Sequence, residues 1–302
     1  MRHLFIINPA AGQGEAMHLV EQIHEAMQRL KVNGEFYYTK GRGDGEAFVR
    51  KIAEEGKPVR FYSCGGDGTL NEVVNGAYGY SNAEVGCIPK GTGNDFVRNF
   101  SGEFTDIEAQ LQGTSTPCDL IQYTMGGTRR CCINMFNIGF DCNVVDLTTR
   151  LKKKPFIGGS LAYLLGVAIT LIKKKGADLQ IFLEEEKLPE EKILLIAVAN
   201  GCFCGGGVKG VPKASTNDGL MDVSVVRNIS RTQFLQLFPR YAKGTHLEHK
   251  KIDKIVAYKK CKSLRIVPNG QTMRLAIDGE IVDGGTVEFT MIPGGIKFVL
   301  PR

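Results

Sequence analysis

The chain contains no tryptophan, no Cys-x-x-Cys pair, no internal repeat and no low-complexity tract. Each absence narrows the field. No nucleic-acid-reading motif is present either, so nucleic acid is not an expected partner. Nine cysteines are scattered along the chain, an odd number without metal-ligand spacing, and zinc therefore has no support. Several lie in apolar strand-like runs, where cysteine behaves as a small buried hydrophobe. No secretory leader is expected, because Met1-Arg2-His3 runs straight into Leu4-Phe5-Ile6-Ile7. The expected compartment is the reduced cytoplasm. Long apolar runs are also missing. The stretch at 156–172 has seventeen residues without a charge, four of them Gly158, Gly159, Ser160 and Gly166. As a helix it would reach ~25 Å against a hydrocarbon core of ~30 Å. Lysine triplets at 152–154 and 173–175 flank it. A buried or interfacial helix is the expectation, with the lysines facing anionic headgroups in peripheral membrane association.

What is present is a 302-residue globular composition, 43% hydrophobic and 23% charged, enough for two modest domains. The net charge of +6 suits a partner that carries phosphate. The first hundred residues alternate strand and helix. Apolar runs at 4–7, 36–39, 59–64 and 85–88 read as strands. Between them, Leu19, Ile23, Ala26 and Leu30, then Ala47, Phe48, Ile52 and Ala53, then Leu70, Val73, Val74 and Ala77 fall at helical spacing. Thr105-Asp106-Ile107-Glu108 reads as a capping box for one more helix. This alternation predicts a doubly wound parallel α/β sheet. Beyond about residue 115 strands dominate, at 131–140, 193–199, 220–226, 264–267, 274–277 and 287–291. They predict an antiparallel β-sandwich. The expected division is 1–124 and 125–293, with a closing strand at 294–300 that can complete the first unit.

Three turns follow strands of the first unit, where ligands of such sheets bind. The first is Asn8-Pro9-Ala10-Ala11-Gly12-Gln13-Gly14, a strand-to-helix loop whose backbone N–H groups can hold phosphate. Gly65-Gly66-Asp67-Gly68-Thr69-Leu70-Asn71-Glu72 is the second. Its glycines admit a polyphosphate, and an aspartate beside phosphates calls for a cation such as Mg²⁺ between them. The third, Pro89-Lys90-Gly91-Thr92-Gly93-Asn94-Asp95, repeats glycine, hydroxyl and acid on one turn. Lys90 is a candidate for spreading phosphate charge.

Together these turns resemble the diacylglycerol kinase and sphingosine kinase catalytic-domain family, above all its soluble bacterial lipid kinases. Asp218-Gly219-Leu220-Met221-Asp222 resembles the family's structural metal loop, and Asp278-Gly279-Glu280 its late acidic motif. The resemblance spans nearly the whole chain. It implies an N-terminal ATP-binding domain, a C-terminal sandwich and an active site in the cleft between them. It implies that Asn8, Pro9, Ala10, Ala11, Gly12, Thr39, Gly65, Gly66, Asp67, Gly68, Thr69, Leu70, Asn71, Glu72 and Thr92 contact ATP. Asp67 and Asp95 would organise catalytic Mg²⁺, and Glu280 would accept the proton of the lipid hydroxyl. Ser215, Asp218 and the Leu220 carbonyl would hold a second, structural Mg²⁺. The expected activity is phosphorylation of a lipid at the membrane surface, foremost diacylglycerol to phosphatidic acid. The alternative is an NAD kinase or other small-molecule kinase, since NAD kinases share the Gly-Gly-Asp-Gly-Thr turn. A homodimer is compatible with either.

Overall fold

The computed structural model describes residues 1–12, 17–139, 177–189, 192–270 and 272–302. The uncharged stretch at 156–172, its lysine triplets, and Gln13 and Gly14 of the first turn lie outside the described residues. The chain divides into two compact units: residues 1–120 with 292–302, and residues 121–291.

In the first unit, β1 (Arg2–Ile7), β2 (Gly34–Tyr38), β3 (Val59–Gly65) and β4 (Ala83–Pro89) form a parallel sheet in the order β2-β1-β3-β4. Helices α1 (Leu19–Leu30), α2 (Asp44–Ala53), α3 (Asp67–Ala77) and α4 (Ile107–Leu111) connect and cover it. Side chains alternate along each strand, so Phe5, Ile7, Tyr62, Cys64 and Ile88 share one face. They pack against Leu19, Ile23, Ala26, Ile107 and Leu111 of α1 and α4. The cap of α4 differs from the sequence expectation. Asp106 Oδ1 accepts from the Ala109 N–H at 3.0 Å, while Thr105 Oγ1 donates to Glu103 Oε1 instead. Asp106 has the extended backbone of an N-cap residue, and the cap therefore falls one position later.

The second unit is a sandwich. After β5 (Thr114–Met125), β6 (Thr128–Cys132), β7 (Met135–Gly139), β8 (Leu179–Leu183), β9 (Glu186–Lys187) and β10 (Ile193–Ala199) come β11 (Met221–Arg227), β12 (Val256–Cys261), β13 (Ser263–Pro268), β14 (Met273–Ile277), β15 (Glu280–Gly284) and β16 (Val287–Leu300). One antiparallel sheet runs β12-β11-β10-β7-β14-β15. The other includes β9-β8-β13 and the first part of β16, also antiparallel. Phe136, Ile138, Ile196, Val198, Val223 and Leu275 of the first meet Ile181, Leu264, Ile266, Val287 and Phe289 of the second in the core. Helix α5 (Arg231–Lys243) packs on the outer face of β10 and β11 through Phe234 and Leu237. It opens on a full capping box, Ser230 with Gln233.

Two strand expectations are corrected. The run at 131–140 is not one strand. It breaks at Ile133-Asn134, and its halves, β6 and β7, join different sheets. The break has a cause. The N–H groups of Ile133, Asn134 and Met135 leave any ladder and donate to the buried Asp278 carboxylate at 3.0 to 3.1 Å. The runs at 287–291 and 294–300 are, conversely, a single strand, β16. Its last part returns to the first unit, where Phe298 lies parallel to Val85 of β4.

Candidate active site

The three turns of the first unit converge at the carboxyl ends of β1, β3 and β4. Asn8 Nδ2 donates to Thr69 Oγ1 at 3.1 Å, which ties the first turn to the second. The oxygen of the same amide accepts from the Ala10 N–H at 3.1 Å and shapes the loop. The Lys90 N–H donates to the Gly65 carbonyl at 2.8 Å. Gly66 and Gly91 lie Cα against Cα. A Cβ on Gly66 would sit 3.2 Å from the Gly91 Cα, and one on Gly91 would collide with Gly66. Gly91 must therefore be glycine for this approach, and a side chain on Gly66 would push the third turn back by a few tenths of an ångström. The Asp95 N–H donates to Asp67 Oδ1 at 2.9 Å, so the two acids are locked together across the turns. Asp95 is buried and Asp67 half-buried.

Both carboxylates border the space over Gly93. A Cβ there would sit 2.8 Å from Asp67 Oδ2 and 3.3 Å from Asp95 Oδ2. Two hard oxygen donors facing one point fit Mg²⁺, which takes one or two carboxylates and completes its shell with phosphate oxygens and water. Lys90 is one candidate from sequence for spreading phosphate charge, and the structure sets a second cation, the guanidinium of Arg98, beside the pair. It donates to the Gly93 carbonyl at 3.1 Å and lies 3.7 Å from Asp95 Oδ1. The i, i+3 spacing from Asp95 on the following helical turn was the signal that could have found it.

The remaining residues of this set take varied places. Pro9, Ala11, Gly12 and Gly68 are half-buried along the turns, and Ala10 and Thr92 are exposed. The Thr39 N–H donates to the Ile7 carbonyl at 2.9 Å, which sets Thr39 beside the end of β1. Leu70 turns its side chain into the core. The Asn71 side-chain oxygen accepts from Asn75 Nδ2 at 3.2 Å. Glu72 has a structural task. Its carboxylate accepts from the N–H groups of Gly43 at 2.7 Å and Gly45 at 3.2 Å, so α3 supplies the cap of α2. Gly43, the N-cap residue of α2, has no side chain with which to cap it.

In the second unit, Glu280 is exposed at the start of β15, opposite Ile277 of β14. Asp278 and Gly279 between them both have positive φ, 45° and 86°, the geometry of a tight hairpin turn. Asp278 anchors this hairpin. Its carboxylate accepts the three backbone N–H groups of 133–135 and the Cys132 thiol at 3.0 Å. Burial, and next the Asp278 charge, hold the Cys132 thiol well above its ordinary pKa, so it remains an S–H donor. Sequence reasoning placed Asp278 in the acidic motif but missed this positioning role. No local spacing shows that 132–135 and 278 meet.

In the 215–220 loop the candidate ligands are held by near neighbours. Asp218 Oδ2 already receives the Lys260 ammonium at 2.6 Å, and Oδ1 accepts from the Leu220 N–H at 3.1 Å. Ser215 Oγ donates to Asn217 Oδ1 at 3.0 Å. Lys260 also approaches Asp222 Oδ2 at 3.1 Å. Lys260 of β12 thus sets a positive charge between the Asp218 and Asp222 carboxylates. Among the described residues no group of three or more His, Cys, Asp or Glu side chains is gathered for a metal.

The diacylglycerol kinase catalytic domain family model matches residues 2–123. The model for the YegS C-terminal, NAD kinase beta sandwich-like domain matches residues 134–300. The chain belongs to the diacylglycerol kinase family. It is a kinase, a phosphotransferase of the lipid kinase class. The diacylglycerol kinase of Bacillus subtilis is 26% identical over 100% of this chain and 97% of its own. Among solved structures, a diacylglycerol kinase from Bacillus anthracis superposes with a TM-score of 0.72 at 20% identity, covering 100% of this chain and 97% of the other. An NAD kinase from Archaeoglobus fulgidus in complex with ATP reaches 0.50 at 11% identity, covering 100% and 94%. Both structural likenesses establish fold. No described helix is long and apolar enough to cross a membrane.

Proposed function

We propose that the chain transfers the γ-phosphate of ATP to the hydroxyl of diacylglycerol, forming phosphatidic acid for phospholipid metabolism. The observation that carries the ATP half is the convergence of three glycine turns on the Asp67–Asp95 pair. Phosphoryl transfer requires positioning and charge neutralisation more than covalent help. The N–H groups of 10–12 and of the start of α3 hold phosphate oxygens. Thr39 and Thr92 flank the nucleotide, and Arg98 spreads phosphate charge. Asp67 and Asp95 would hold Mg²⁺, which when bound would supply positive charge against the nucleotide phosphates. Glu280, presented by the Asp278-anchored hairpin, accepts the proton of the lipid hydroxyl.

The acceptor half rests on family membership and on an energetic argument. Each CH₂ withdrawn from a membrane costs ~0.8 kcal/mol. Two chains of roughly sixteen carbons cost ~25 kcal/mol, beyond the ~21 kcal/mol ceiling of non-covalent affinity. The enzyme therefore works at the membrane surface on a lifted headgroup. The lysine triplets at 152–154 and 173–175 contribute to that contact. Replacing both with serine weakens sedimentation with anionic vesicles, and unchanged sedimentation removes them from the contact.

The deciding experiment incubates the protein with labelled ATP and Mg²⁺, in parallel with diacylglycerol vesicles and with NAD. Label in phosphatidic acid is expected. Label in NADP alone replaces this reading with the NAD kinase one, which the shared Gly65-Gly66-Asp67-Gly68-Thr69 turn motivates.

A further inference from the structure

The outer layer of the second unit is unusually basic. Residues 231–254 form α5 and the two short 3-10 turns His246–Glu248 and Ile252–Lys254. They carry six lysines and arginines against two acids, a net +4 out of the +6 of the whole chain. The inward face of this layer is settled by packing. Phe234, Leu237 and Ile252 meet Leu194, Leu195, Val226 and Val256 of the sheet beneath. The outward face therefore carries the charge. Arg240, Lys243, Lys250, Lys251 and Lys254 are all exposed. None of the five side chains has an acidic partner among the described residues.

The same layer also exposes an apolar side chain. Leu235 is 63% exposed, the one large hydrophobic residue so exposed among the described residues of this unit. Leu235, Pro239 and Lys243 follow one another at i, i+4 and i+8, so they line one ridge of α5 directed away from the core. A helix that buries one face in its own protein and presents cations around an exposed leucine has the pattern of an interfacial element. Unpaired lysines and arginines near an anionic leaflet each strengthen partition by roughly fivefold, and the leucine enters the headgroup–acyl boundary. A nucleic-acid strand would instead need aromatic stacking platforms. The aromatic residues of this helix, Phe234, Phe238 and Tyr241, are buried or half-buried against the sheet.

We propose that the outward face of α5 and the 250–254 turn is a docking surface for anionic membranes, with Leu235 as its inserted side chain. The proposal deepens the lipid-kinase reading, because it names how such an enzyme reaches its substrate. The test is co-sedimentation of the full chain with vesicles of phosphatidylglycerol and phosphatidylcholine, or of phosphatidylcholine alone, at about 0.1 M salt. Arg240→Ser, Lys243→Ser, Lys250→Ser and Lys251→Ser combined are expected to lower partition onto the anionic vesicles by about a hundredfold or more. Leu235→Ser is expected to lower it about tenfold. Wild-type partition should weaken steeply with salt and be negligible on phosphatidylcholine alone. A short-chain diacylglycerol dissolved as monomer bypasses the surface, and both variants should phosphorylate it at the wild-type rate. Equal partition of wild type and the fourfold variant overturns the proposal. So does tight binding of an oligouridylate that the fourfold variant loses while vesicle partition stays unchanged. If the wild type phosphorylates no lipid but still partitions as described, the kinase reading fails and the docking surface stands.

Discussion

Two acids in the second unit illustrate how differently one chemical group can be used. Glu280 is exposed on its hairpin, where a base can meet a substrate, whereas Asp278, two positions earlier, is 6% exposed and consumed by four donors. The two should separate on substitution. Glu280→Gln is expected to lower kcat by about 10²- to 10⁴-fold, with the melting temperature unchanged, as measured by steady-state assay and thermal unfolding. Asp278→Asn keeps the shape but removes the charge from a carboxylate that only accepts, and places an NH₂ among N–H groups. Hydrogen bonds to a charged group are worth about 1.5–3 kcal/mol each. A loss of ~3 kcal/mol in a urea titration is the expected outcome, with kcat falling as the Glu280 hairpin loosens. Wild-type stability in Asp278→Asn would remove Asp278 as the anchor.

At the scale of elements, the turns after β3 and β4 are held by backbone against backbone. Gly91→Ala must push the third turn off Gly66, and the Asp67–Asp95 contact goes with it. Nucleotide affinity should fall by about tenfold or more by calorimetry, while the circular dichroism melt of the first unit moves little, because neither glycine belongs to its core. The layer under α5 supplies a pH-dependent element. His246 is fully buried, and neither ring nitrogen has a hydrogen-bond partner. Burial lowers its pKa from 6.5 to about 4. The unfolded chain therefore binds the extra proton between these values, and stability rises with pH in that window. The contribution is fully present above pH 6.5 and is lost as pH falls to about 4, a change of about 3 kcal/mol. Urea denaturation of His246→Leu between about pH 7 and pH 4 should show a correspondingly flatter profile. An unchanged slope would locate the acid sensitivity elsewhere.

At the scale of the whole chain, the ends of the sequence meet in one unit. The last part of β16 lies beside β4, and Phe298 is buried among Phe96, Phe100 and Phe104. Lys297 Nζ donates to the Ser81 carbonyl at 2.7 Å, and the Gly294 N–H to Asp119 Oδ1 at 2.7 Å. Removing residues 292–302 strips this strand from β4 and opens the phenylalanine cluster. Losing Phe298 alone is worth about 3–5 kcal/mol. The truncated chain is expected to aggregate or to lose the cooperative unfolding of the first unit, read by light scattering and differential scanning calorimetry. A soluble, ATP-binding truncation would show that the first unit needs no closing strand.

The turns of the candidate site were legible from sequence, because each is a contiguous run of residues. The glycine spacing at 65–69 and 91–95, the acids beside the glycines, and the alternation of strand and helix each occupy a few adjacent residues, where periodicity and turn preference act. The missing tryptophan and the missing Cys-x-x-Cys pairs likewise counted against nucleic acid and zinc without any coordinates. Tertiary structure decided what depends on residues far apart. It paired Asp67 with the Asp95 backbone, drew Glu72 across to cap α2, and brought Lys260 to the Asp218 carboxylate. It also split the 131–140 run in two because a carboxylate 145 positions away takes up its N–H groups. Hydrogen bonds and charges choose partners by distance in space, and sequence spacing does not record that distance.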